Sequence, residues 1–213
     1  MTLSAGARVT RVSKPANAFN FSRSIILAYN LTMSRKYKFL NQEGLYFVSF
    51  AVINWIDVFV RPAYNEIIIE SLNYCKSNLG MDLYCYCIMP SHIHLIYKAN
   101  NNNHEIILGR FKEYTAKQLI KAITENPQES RKEWLLWMFK RAAAKSSNVR
   151  NYQFWQHNNK PIELWSAEVI EQKADYIHNN PVESGFVSEP SHWKYSSAIN
   201  YADGIGVIDV NFL

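Results

Sequence analysis

At 213 residues, 48% hydrophobic and 14% aromatic, the chain can bury a real core and suits one domain with attachments or two small ones. Its net charge of +5 leans toward polyanionic partners without proving one. Three cysteines, Cys75, Cys85 and Cys87, exclude a secreted disulfide framework and fit a reduced, cytoplasmic setting. No apolar run reaches the roughly 18 residues of a membrane span. The early arginines are not followed by an apolar signal region with a cleavage site.

Residues 1–32 mix Ser, Ala, Asn and basic residues around one apolar patch, Ile25 to Ala28, and Met33 reads as a natural start of its own. They are expected to form a poorly ordered N-terminal extension to a single domain over 33–213, with a core at 33–126 and a helical extension at 127–213. Leu45 to Ile53, rich in β-branched and aromatic residues, reads as a strand buried on both faces. Pro62 suits a helix start, and Ile67, Ile68, Leu72 and Cys75 recur at helical spacing as far as Asn78, with Gly80 as the stop. Met81 to Ile88 and His92 to Lys98 read as strands joined by a Met89-Pro90-Ser91 turn. Ile106, Ile107, Phe111, Tyr114, Leu119 and Ile123 mark a long helix that stops at Asn126-Pro127. Strand, helix, strand, strand, helix is most of a ferredoxin-like split βαβ arrangement. The expectation is therefore an α+β fold, an antiparallel sheet with helices on one face and a helical C-terminal extension. A last strand could come from Tyr152 to Trp155 or from Ile162 to Trp165. Further helices are expected over Ser130 to Lys145 and, capped by Ser166, over Ala167 to His178, the latter broken by Asn179-Asn180-Pro181.

Chemistry concentrates at Met89-Pro90-Ser91-His92-Ile93-His94-Leu95-Ile96. Strand side chains alternate faces, so His92 and His94 project together and form a ready pair of ligands for a divalent metal. On the following helix, Tyr114 and Gln118 are four apart and share a face, with Lys117 and Lys121 close by. A covalent DNA-cutting site needs a hydroxyl nucleophile, an amide oxygen to complete a metal site and lysines for phosphates. A tyrosine in an amphipathic helix is more often packed at the edge of a core. Positive charge gathers here, with 10 Lys/Arg against 4 Asp/Glu between Ile107 and Arg150. A three-residue hairpin turn would pair Ile88 with His92 and Tyr86 with His94, turning Cys85 and Cys87 away from the histidines and disfavouring a Cys₂His₂ zinc cage. Phe154-Trp155-Gln156-His157 and Tyr176 to Pro181 read equally as a packed cap or as a base-stacking surface for single-stranded DNA.

The Met89-to-Ile96 segment resembles the MPxHxHLL signature of single-tyrosine HUH transposases. Trp155-Gln156, Tyr176-Ile177-His178-Asn179-Asn180-Pro181-Val182-Glu183-Ser184-Gly185-Phe186-Val187, Tyr195-Ser196-Ser197-Ala198 and Tyr201 resemble the downstream pattern of the REP-associated tyrosine transposase branch. The resemblance runs from about Met33 to the C-terminus. Ser91 stands where Asn is commoner, and an inserted-looking helix lengthens the stretch from Glu125 to Tyr152. The resemblance implies Mg²⁺ or Mn²⁺ on His92 and His94, with Gln118 as the further ligand. It implies attack by Tyr114 on DNA to leave a 5′-phosphotyrosine and a free 3′-OH. It also implies a single-stranded or hairpin DNA substrate held by Arg110, Lys112, Lys117 and Lys121. Tyr176 is the second choice of nucleophile, and delivery of the tyrosine within one chain or across a homodimer stays open. The rival readings are an inactive hairpin DNA- or RNA-binding module of the same fold and a structural zinc protein.

Overall fold

The computed structural model describes residues 39–100, 103–146, 151–157 and 161–213, so the expectation for 1–32 lies outside the described residues. Strand β1 is Leu45–Ala51, followed by short 3₁₀ turns at Ile53–Trp55 and Val58–Val60. Helix α1 (Pro62–Leu79), β2 (Met81–Ile88), β3 (His92–Ala99), α2 (His104–Glu125) and α3 (Lys132–Ala144) come next. Strand β4 (Ile162–Glu163) and helices α4 (Ala167–Glu183) and α5 (Ala198–Tyr201) complete the order. The sheet runs β2-β3-β1-β4 with every pairing antiparallel, the split βαβ arrangement expected from the element order. The last strand comes from the second of the two candidate segments.

Local chemistry explains the element limits. Pro62 occupies the first turn of α1, where its missing N–H is no loss. Gly80 adopts φ 72°, which lets its N–H close on the Cys75 carbonyl and send the chain straight into β2. Alternation then divides the sheet. Tyr46, Val48, Phe50, Ile93, Leu95 and Tyr97 pack with Ile68 and Leu72 of α1 and with Ile107, Phe111 and Leu119 of α2 in the main core. Phe47, Cys85, Cys87, Met89 and Ile96 form a smaller cluster on the other face, closed by Leu164 and by Ile177 of α4. Helices α1 and α2 thus share one face, while α4 of the C-terminal extension covers the second.

Two expectations need correction. The β2–β3 register pairs Ile88 with Ile93 and Cys87 with His94, one residue from the expected pairing. The loop is Pro90-Ser91 rather than three residues, because the Met89 N–H bonds the His92 carbonyl and pairs those two residues across the hairpin. Cys85 and Cys87 therefore share the histidines' face. Helix α4 also does not stop before Pro181 but runs to Glu183. Pro181 forfeits only one donor in the last turn, and the N–H groups of Ser184, Gly185 and Phe186 close on the carbonyls of Asn180, Val182 and Pro181.

A buried carboxylate ties the α2–α3 turn to the start of α1. Arg61 Nε donates to Glu129 at 2.6 Å, the Tyr64 hydroxyl at 3.2 Å and the Arg131 backbone N–H at 3.1 Å. Burial alone would raise the Glu129 carboxyl, but Arg61, the Arg131 N–H and Tyr64 outweigh it and hold the group below its ordinary value. A depressed carboxylate stabilises the fold above its unfolded pKa and loses that contribution as pH falls through the folded one. Glu129→Gln is therefore expected to cost roughly 1–3 kcal/mol near neutral pH, between the values for exposed and buried pairs. The deficit against wild type should shrink in acid, below the usual carboxylate range of about 4. Thermal melts across pH check this, and a pH-independent deficit would count against the ionic account.

Candidate functional site

His92 and His94 lie on the α4-facing side of β3, as alternation requires, with ring centroids 4.7 Å apart. His94 sits at mid-sheet, opposite Ser49 of β1 and Cys87 of β2. Burial lowers the His94 pKa to about 3, with the charges of His92 and Lys173 adding to the effect. Burial also lowers His92, the neighbouring Asn180 amide working the other way. Both imidazoles are thus neutral near pH 7, the form that ligates metals.

Helix α4 brings its own groups to this pair. Tyr176 lies 5.2 Å from His94 and 5.9 Å from Phe47, ring to ring and nearly edge-on in both cases. One turn earlier, the Lys173 ammonium lies 5.2 Å from the Phe47 ring centroid and 5.5 Å from that of Tyr176. One turn later, Asn180 is buried on the same helical face. Neither His94 nitrogen has a hydrogen-bond partner, nor does Asn180 Oδ1. Buried polar atoms seldom go unpaired. His92 Nδ1 meets Ser91 Oγ at 3.2 Å, and beside it the unpaired His94 imidazole and Asn180 amide oxygen complete a donor set that fits a divalent ion. Among the described residues no three His, Cys, Asp or Glu side chains are placed to hold a metal, so the amide oxygen is what would complete this set. Across the pair from Tyr176, the indole of Trp55 packs edge-on against His92 at 5.2 Å.

The structure separates the other expected site residues from the histidines. Tyr114 and Gln118 ride on α2, whose apolar stripe packs on the opposite face of the sheet. Burial and the Glu70 carboxylate of α1 raise the Tyr114 pKa, which disfavours a phenolate there. Lys117 pairs with Glu113 at 2.6 Å and Lys121 with Glu125 at 4.0 Å, both on the exposed side of α2 beside exposed Arg110. Lys112 turns inward, its ammonium donating to the Gln156 carbonyl, and burial lowers it to about 7. Trp155 belongs to the core, its indole N–H donating to Thr115, so it offers no surface for stacking. His178 packs against Tyr201 and pairs with Ser197 Oγ at 2.9 Å, and burial lowers its pKa to about 4. Ser197 in turn bonds the Tyr86 backbone, so the Tyr195-Ser196-Ser197-Ala198 motif holds α4 against the sheet.

Sequence reasoning passed over Asn180, Lys173 and Trp55. The tyrosine-to-amide spacing of four that singled out Tyr114 and Gln118 also links Tyr176 and Asn180. Ending the helix at His178 leaves Asn180 outside it and hides this spacing.

No protein-family model matches the chain. Its fold matches that of a solved structure of a REP-associated tyrosine transposase bound to a REP hairpin. That match has a TM-score of 0.56 at 15% identity and covers 85% of this chain and 95% of the other. The sequence points to the same branch. Over 167 residues the chain is 25% identical to a Haemophilus influenzae (strain ATCC 51907 / DSM 11121 / KW20 / Rd) protein named "Putative REP-associated tyrosine transposase", spanning 78% of this chain and 85% of that one. The resemblance to REP-associated tyrosine transposases read from the sequence is thereby borne out. Among the described residues no helix is long and apolar enough to cross a membrane.

The register correction places both strand cysteines beside the histidines, yet as thiols rather than thiolates. Burial pushes Cys75 up to about 12, Cys85 to about 11 and Cys87 to about 12. The native protein at about pH 8 should give almost no reaction with an aromatic disulfide reagent, and all three thiols should react after denaturation. Rapid native labelling, or bound zinc that disappears with Cys85→Ser, would instead support the zinc reading.

Proposed function

We propose that this protein cleaves and rejoins single-stranded DNA through a 5′-phosphotyrosine intermediate, with Tyr176 as the nucleophile. The convergence of Tyr176 and Asn180 on His92 and His94 across one sheet face carries this reading. The similarity to REP-associated tyrosine transposases supports it, and hairpin DNA is the expected substrate. His92, His94 and Asn180 would hold Mg²⁺ or Mn²⁺. Such an ion supplies Lewis-acid polarisation of the scissile phosphate and offsets the charge that develops on it.

The chain's own groups set the rest. The Tyr176 oxygen attacks phosphorus, the bond to the 3′ oxygen breaks, and the 5′ phosphate stays on the tyrosine. The freed 3′-OH can reverse the attack or give way to another strand's, so joining needs no ATP. Lys173 places a positive charge beside the ring where negative charge develops on the phenol oxygen and the phosphate. Tyr176 lies beside His94 of its own chain, which supports delivery of the tyrosine within one protomer.

Incubation with a labelled hairpin oligonucleotide and Mn²⁺ tests this. Wild type and Tyr114→Phe should form a covalent adduct, and Tyr176→Phe should form none while folding normally, since only a hydroxyl is removed. Asn180→Ala should raise the Mn²⁺ requirement by at least the ~10-fold that changes around a metal site cost. An adduct that survives Tyr176→Phe would overturn the assignment. Hairpin binding without any adduct in wild type would favour an inactive DNA-binding module.

A further inference from the structure

Trp55 is exposed over 59% of its surface, yet it is held in place. Asn54 and Trp55 adopt φ 54° and 55° in succession, a left-handed conformation that Asn tolerates but that strains a bulky aromatic residue. The surrounding backbone fixes it there: Val52 N–H bonds the Ser91 carbonyl, Ile53 N–H that of Phe154, and Trp55 N–H that of Val52. Its ring meets that of His92 in a T-shaped contact, and more than half of its surface faces solvent. Strain of this kind, kept next to a reactive centre, costs stability that a surface loop could otherwise avoid.

On the other side of Asn54 lies a cleft of about 710 Å³ between α3 and the segment that carries Gln153 and His157. Arg141 and Lys145 project into it, and no carboxylate lines it among the described residues. Its size suits a nucleotide-sized group. Trp55 thus meets His92, while its chain neighbour Asn54 lines the cationic recess. The other exposed tryptophans are placed differently: Trp137 is capped by the Arg141 guanidinium at 5.1 Å, and among the described residues neither Trp134 nor Trp165 makes a ring contact with either histidine.

Resting on the reading of the site as one that cuts single-stranded DNA, we propose that Trp55 stacks a nucleobase next to the scissile phosphate. The same strand then continues into the cleft, its phosphates meeting Arg141 and Lys145. Every base offers a π-face, so this platform holds the strand at a fixed distance from the histidines without reading sequence. It also gives a task to α3, the helix that lengthens the stretch between Glu125 and Tyr152 in the sequence.

The test uses the full chain and single-stranded oligonucleotides in which an abasic nucleotide is moved one position at a time across the cleavage site. Wild type should lose about tenfold or more in affinity at one position beside the cut. Trp55→Ala should bind intact DNA weaker by a similar factor and show no further loss at that position. Trp55→Phe should recover most of the affinity, and both variants should melt as wild type does. Arg141→Ala with Lys145→Ala should reduce the slope of log affinity against log salt by about 0.7 per phosphate contact removed. A flat abasic profile in wild type, or Trp55→Ala binding and cleaving like wild type, overturns the proposal while leaving the phosphotyrosine reading intact. Absence of any Tyr176-dependent adduct or DNA binding in wild type removes both.

Discussion

The double burial of β3 is the constraint on which the rest of the structure depends. Its odd-numbered residues Ile93, Leu95 and Tyr97 are buried under α1 and α2, and its even-numbered His94 and Ile96 are buried under α4. Because strand side chains alternate, any slip by one residue would exchange imidazoles for aliphatics in the main core. The burial of Ile93, Leu95 and Tyr97 against α1 and α2, lost in such a slip, keeps that exchange closed. Burial on the second face in turn keeps both imidazoles neutral.

Around this strand the second face of the sheet is assembled late in the sequence. Its apolar cluster is small, and polar contacts do much of the fastening. His178 pairs with Ser197, Ser197 bonds the Tyr86 backbone, and Cys87 bridges to Ser196. Residues that read as a possible nucleic-acid surface, such as His178 and Trp155, turn out to be ties and core. Tyr176, next to the buried Ile177, remains 40% exposed.

Much of the sheet was legible from local patterns. Dense β-branched and aromatic runs marked β1 to β3, Pro62 and Gly80 bounded α1, and the His-x-His alternation placed both imidazoles on one face. What was not legible depended on contacts far apart in sequence. No local rule says which sheet face α2 covers, and that choice separates Tyr114 and Gln118 from the histidines. The hairpin register hung on His92 closing the turn through its carbonyl, a single backbone bond. The end of α4 was misjudged because a proline breaks a helix interior but is tolerated in a last turn, and that one residue concealed Asn180. Trp55 could not be found at all, because a left-handed pair without glycine leaves no compositional trace.

Ile177 anchors α4 by a fully buried side chain between exposed Tyr176 and half-buried His178, with Val169, Ile170 and Ala174 packed against the same cluster. The imidazoles belong to a strand in the centre of the sheet, whereas the Tyr176 phenol and the Asn180 amide share this one helix. Any opening of α4 would therefore carry phenol and amide away from the histidines together, while the main core on the other face of the sheet stays closed.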